Sequence, residues 1–63
     1  MTDYQIINEG TLFLFNPMND AAREHLAQHV DEFAQWWGNA LVVEHRYARD
    51  LARALVEDGW SVS

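Results

Sequence analysis

A stretch near the N-terminus decides the fold, because it places two β-prone runs on either side of a glycine. Its sequence is Tyr4-Gln5-Ile6-Ile7, then Asn8-Glu9-Gly10, then Thr11-Leu12-Phe13-Leu14-Phe15. Two such runs around a short turn segment are typical of a β-hairpin, with Gly10 in the left-handed conformation. We therefore expect strands over 4–7 and 11–15, and we expect Asn16-Pro17 to end the second strand.

The second predicted strand is apolar on both faces. Side chains alternate along a strand, so Leu12 and Leu14 point to one face while Phe13 and Phe15 point to the other. This pattern is typical of a central strand or of one covered at an interface. The sheet face without helices would then expose Phe13 and Phe15, or their counterparts, to a partner.

The segment after the hairpin has helical periodicity. Asn19 is a candidate N-cap, and apolar residues recur at helical spacing, namely Ala22, Leu26, Val30 and Phe33. We expect a helix from about Asp20 to Val30, with Phe33 as its furthest end. The opposite face of this helix is acidic and carries Asp20, Glu24, Gln28, Asp31 and Glu32.

The C-terminal half predicts a turn, a strand and a second helix. The turn is Trp36-Trp37-Gly38-Asn39, and Ala40 to Val43 has the continuous apolar character of a buried strand. A second helix is expected over about 46–57, with Gly59 as its stop and a last short strand over 60–62. The whole order favours an α+β fold, a small, mainly antiparallel sheet of three to four strands with two helices packed on one face.

Composition limits the protein to one small domain over residues 1–63. The chain has 63 residues, 49% of them hydrophobic, and no cysteine, which excludes a multidomain enzyme, a disulfide and a thiolate metal site. A core this small is marginal, so self-association as a homodimer is an open alternative. The sequence contains neither an apolar run long enough for a membrane span nor a basic-then-apolar leader pattern, so we expect neither a membrane protein nor a secreted one.

The charge is strongly acidic and unevenly distributed. Ten acidic residues oppose four basic ones, for a net charge of -6. Residues 46–58 contain three acids and three arginines, so the whole net charge lies outside the second helix. Direct binding to nucleic acid or to an anionic membrane is therefore disfavoured, and a basic protein partner is favoured.

No residue pattern predicts catalysis. There is no cysteine, no hydroxyl with an activating neighbour and no phosphate-binding glycine loop, so we expect neither an enzyme nor a cofactor. His25 and His29 have the i,i+4 spacing of a metal pair but not the H-E-x-x-H order. We interpret both as core-bordering side chains and predict no metal; a metal-dependent role through them is a third and weaker hypothesis.

The aromatic residues are predicted to serve the core and an interface. Trp36 and Trp37 could stack on nucleobases, but the sequence around them lacks the basic residues that line a nucleic-acid-binding groove. We expect one of them to fill the core and the other to anchor a contact, as tryptophan often does. The candidate interface aromatics are Phe13, Phe15 and Trp37.

The segment Trp36-Trp37-Gly38-Asn39-Ala40-Leu41-Val42-Val43-Glu44-His45-Arg46-Tyr47 resembles a group of small uncharacterised proteins from proteobacteria and their phages. The resemblance extends over nearly the whole chain, through Gly10, Leu12, Phe13, Pro17, Ala21-Ala22 and Asp58-Gly59. A proline commonly follows the glutamate in this group, where the present chain has His45. The resemblance implies a phage or mobile-element context and no enzyme activity.

In that context, a tiny acidic protein without cysteine looks like the anti-CRISPR proteins, some of which mimic DNA. That resemblance implies a cytoplasmic protein of the bacterial host cell that binds the basic DNA-binding surface of a Cascade-type effector of type I, such as type I-C. The partner-binding residues would be the acidic face, Asp20, Glu24, Asp31 and Glu32. The alternative is a structural or regulatory homodimer of phage or mobile-element origin that has no nucleic-acid-mimic role and whose acidic residues serve only solubility.

Overall fold

A computed structural model describes residues 2–30 and 34–63 of the chain. Four strands and two helices follow one another in the order β1, β2, α1, β3, β4, α2: Tyr4–Glu9, Leu12–Pro17, Asp20–His29, Gln35–Trp37, Ala40–Glu44 and His45–Glu57. The strands form one antiparallel sheet in the order β1-β2-β4-β3. The α+β fold predicted from the sequence is confirmed.

The hairpin β1–β2 is longer than predicted. Glu9 pairs with Leu12 and Asn8 with Phe13, so Gly10 and Thr11 alone make the turn. Gly10 has a φ of 83°, and its N–H donates to the Asn8 side-chain oxygen over 2.9 Å. A residue without a Cβ suits this conformation, which the sequence anticipated.

α1 begins and α2 ends at a signal that the sequence contains. The Asn19 side chain caps α1 by accepting a hydrogen bond of 2.8 Å from the Ala22 N–H. At the end of α2, the N–H of Gly59 donates to the Val56 carbonyl and the N–H of Trp60 to the Leu55 carbonyl. This is the Schellman arrangement, and Gly59 has the left-handed φ of 94° that it requires.

Strand β3 is an element that the sequence analysis missed. Trp36 and Trp37 belong to this three-residue edge strand, and only Gly38 and Asn39 form the turn into β4. Neither tryptophan fills the core, since they are 37% and 59% exposed. The predicted last strand is reduced to a single parallel bridge between Val62 and Tyr4.

Both helices cover the same face of the sheet. The largest fully buried side chains between the sheet and the helices are Tyr4 and Phe15 from the strands and Leu26 and Leu55 from the helices. The Tyr4 hydroxyl donates to the Ala22 carbonyl over 2.6 Å and so joins β1 directly to α1. Burial raises the pKa of Tyr4 to about 12, with a smaller contribution from the nearby Asp3 charge.

The phenylalanines lie on the helix-covered face, so of the two predicted alternatives for the uncovered face the phenylalanines are wrong and their counterparts on β2 are right. Phe15 is 0% exposed, and Phe13 is half-buried and packs against the core. Residue pairing places Leu12 and Leu14 on the opposite face. The helices pack where the larger aromatic surface is, because aromatic side chains bury more apolar area per residue.

Within residues 2–30 and 34–63, neither helix has the length and apolarity needed to cross a lipid bilayer.

Candidate functional site

The described acidic residues of α1 lie on its exposed surface. Asp20 and Glu24 are exposed and lie one turn apart, about 6 Å along the helix axis. The other two predicted partner-binding residues, Asp31 and Glu32, lie outside the described residues, as does Phe33.

The α1 carboxylates are weakly paired. Arg23 approaches Asp20 to 3.4 Å, but the Asp20 side chain is 97% exposed, and an ion pair in water contributes little. Asp20 also lies in the first turn of the helix, where the helix dipole favours a negative charge. Glu24 forms no ion pair with any cation of residues 2–30 and 34–63.

Asp3 is an acidic residue with a structural task. Its carboxylate accepts hydrogen bonds from the Ser61 N–H over 2.9 Å and from the Asn19 amide over 3.0 Å. These two donors hold the pKa of the Asp3 carboxyl below its usual value. Asp3 therefore keeps its negative charge while it ties the two chain ends together.

The sheet face opposite the helices is apolar at its centre and polar at its edge. We call it the open face; its apolar side chains are Ile7, Leu12, Leu14, Ala40, Val42 and Trp37, of which Leu14 and Ala40 are buried whereas Ile7 and Trp37 are exposed. Gln5, Asn16 and Gln35 lie around them, and Glu9 and Glu44 flank Leu12 on the neighbouring strands. Neither described helix packs here, since the buried residues of both join the core on the other side. An apolar centre within a polar rim is typical of a protein interface.

Phe13 lines a groove beside α2. The groove has a volume of about 570 Å³, and its walls include Ile6, Phe13 and Phe15 from the sheet and Ala48 and Arg49 from the helix. Of the three predicted interface aromatics, Phe15 is thus core, Phe13 is half-buried in this groove, and Trp37 lies exposed on the open face.

A histidine–aspartate cluster lies where α1 meets the end of α2. His25 and His29 face each other with ring centroids 4.2 Å apart, and the Asp58 carboxylate comes within 3.5 Å of His25 Nε2. The metal-binding atoms of these three residues all lie within 4.8 Å of one another. Trp60 stacks on His25 with ring centroids 4.8 Å apart. Sequence spacing identified the two histidines but gave no signal for Asp58, because the fold alone brings it to them.

Comparisons of the chain with models of protein families, with curated proteins and with solved structures found no match. What the protein does is therefore inferred from its own residues.

Proposed function

We propose that the protein acts by binding, as an acidic mimic of DNA that occupies the basic DNA-binding surface of a type I CRISPR effector, such as type I-C Cascade. The observation that carries this proposal is the asymmetry of charge. Outside residues 46–58, the described residues have five carboxylates and one guanidinium, with no lysine among them. Ordinary soluble surfaces mix both signs.

The spacing of the α1 carboxylates supports the same proposal. Asp20 and Glu24 are separated by about 6 Å along the axis. Two phosphate steps on one DNA strand cover about 7 Å along the duplex. A lysine- or arginine-rich channel that binds phosphates at this interval would attract both carboxylates, and the same long-range field would steer the encounter.

A tagged pull-down from cells that express type I-C Cascade tests the proposal. The eluate is assayed for binding of target double-stranded DNA at low and moderate salt. We expect Cascade to co-elute and to have lost DNA binding, with inhibition weakening as salt rises. An eluate that contains this chain alone would contradict the proposal.

A matched pair of charge variants locates the binding surface. The Asp20→Asn/Glu24→Gln variant removes two charges from α1, and Asp50→Asn/Glu57→Gln removes two from exposed positions of α2. We expect the first to weaken Cascade binding about tenfold, or about 1.4 kcal/mol, and the second to have little effect. Equal losses would contradict a role for the α1 face.

The open face favours a second candidate, a structural or regulatory homodimer. The partner would be a second copy of this chain, because a core of this size gains most from covering its own exposed apolar surface. Sedimentation at several concentrations should then show a dimer that persists as salt rises. Trp37→Ala should weaken the dimer, whereas Val56→Ala, at an equally exposed position on α2, should not. A monomer at all concentrations would contradict this candidate.

A further inference from the structure

The cluster of His25, His29 and Asp58 has no part in the proposed binding surfaces. The two imidazoles lie one turn apart on α1, and the carboxylate belongs to Asp58, the C-cap residue directly after α2. The pairwise separations of their ligand atoms do not exceed 4.8 Å. Two nitrogen donors and one oxygen donor thus converge from distant parts of the chain.

The fold holds the His25 ring and the Asp58 backbone in place before any ligand is present. The His25 ring stacks on Trp60, which itself packs edge-on against the buried Tyr4 ring. Asp58 is fixed by the end of α2, where its backbone N–H donates to the Ala54 carbonyl. Preorganised ligands reduce the ordering that binding would otherwise require.

His25 Nε2 points into the cluster without a hydrogen-bond partner. This nitrogen is screened from solvent, and no group in the described part of the chain forms a hydrogen bond to it. The nearest carboxylate oxygen, on Asp58, is 3.5 Å away, beyond the usual length of a hydrogen bond. A buried polar atom without a partner is rare in folded proteins, and an ion at this position would supply the missing interaction.

We propose that His25, His29 and Asp58 bind a Zn²⁺ ion. Imidazole nitrogen with carboxylate oxygen is a donor set that zinc prefers, whereas calcium and magnesium take oxygen ligands. Ligand atoms around tetrahedral zinc are about 3.4 Å apart, given bonds of about 2.1 Å. The exposed His29 ring and the Asp58 carboxylate, whose side chain is 51% exposed, can rotate inward to reach that distance.

Zinc at this position would clip α1 to the end of α2. Three protein ligands leave a fourth position for water or for a donor from a partner protein. Because the unfolded chain does not hold the three groups together, binding would stabilise the folded state. This proposal takes up the metal-dependent hypothesis for His25 and His29 in place of the expectation of no metal, and it is independent of any Cascade partner.

Calorimetric titration of chelator-treated full chain with zinc chloride at neutral pH tests the site. We expect one ion per chain and an unfolding midpoint that rises with zinc. His29→Ala changes an exposed ligand and should weaken zinc binding by more than about tenfold. The matched control is His45→Ala, an exposed histidine at the start of α2 that is not part of the cluster.

Asp58→Asn provides an independent check should the His29 variant fail to fold, with the exposed Asp50→Asn as its control. We expect the Asp58 variant to lose affinity and the Asp50 variant to retain it. Absence of zinc binding by the wild-type chain would overturn the proposal, and so would equal weakening in a ligand variant and its control.

Discussion

Replacing Tyr4 by phenylalanine tests the joint between the sheet and α1. Tyr4 is 0% exposed, and its hydroxyl donates to the Ala22 carbonyl over 2.6 Å. Inside α1, the Ala22 carbonyl also accepts the regular helical hydrogen bond from the Leu26 N–H, so it still has a hydrogen-bond partner in the Tyr4→Phe variant. We therefore expect a loss near the net value of one hydrogen bond, about 1 kcal/mol.

The expected loss is large enough to measure by thermal and urea unfolding. In a domain of this length, about 1 kcal/mol corresponds to a fall of about 4–8 °C in Tm. Tyr47→Phe is the matched control, because the Tyr47 side chain is 55% exposed. The Tyr47 variant should unfold with the wild-type midpoint.

The contact between Tyr4 and α1 should also appear in the pH dependence of the free energy of unfolding. The folded-state pKa of Tyr4 is about 12, above the usual value of 10.0. The unfolded chain therefore ionises first as the pH rises, so the stability linked to neutral Tyr4 is full below pH 10 and is lost between about 10 and 12. The difference between wild type and Tyr4→Phe should narrow over that interval. A constant difference from pH 7 to pH 11, or none at pH 7, would refute the reasoning.

Three further variants test the remaining supports of the fold. Asn19→Ala removes the α1 cap on the Ala22 N–H and should cost about 1 kcal/mol in urea unfolding; an unchanged midpoint would contradict the cap. Asp3→Asn should destabilise the chain at neutral pH by weakening its bond to Ser61. The folded-state pKa of Asp3 lies below 3.8, so the stability that its charge contributes is lost as the pH falls through 3.8 and lower. The difference in stability between wild type and Asp3→Asn should therefore disappear there, and acid unfolding of both proteins measures it. Leu26→Ala leaves a cavity at a 0% exposed position and should cost about 2–5 kcal/mol, enough to leave much of the protein unfolded by circular dichroism.

Local signals in the sequence predicted most of the elements. Gly10, Asn19 and Gly59 each act within a few residues, through backbone conformation or a single hydrogen bond. The helical spacing of the apolar residues of α1 is likewise a local signal, because it places them all on the side of the helix that packs on the sheet. Such features require no knowledge of the rest of the chain.

Features that depend on distant contacts were missed. Gly38-Asn39 indicated a turn, but the three-residue strand before it is too short for a periodic signal, so Trp36 and Trp37 were assigned to the turn. Alternation separates Leu14 from Phe15 without saying which face the helices cover. Asp58 lies 29 or more residues from the histidines, and only the packing of α2 brings it to them.

The two candidate binding surfaces, the open face and the α1 carboxylates, lie on opposite sides of the molecule, so a contact through one leaves the other accessible. The open face carries Trp37 and Leu14, whereas α1 packs on the other face of the sheet through Leu26. A dimer that buries the open face would leave Asp20 and Glu24 of each copy exposed and directed away from the contact. Two acidic surfaces on one particle would bind an extended basic channel more tightly than one, provided that both can reach it. Trp37→Ala should then weaken Cascade binding and also make it less dependent on salt, because a monomer presents one acidic surface instead of two and so makes fewer ionic contacts with the channel.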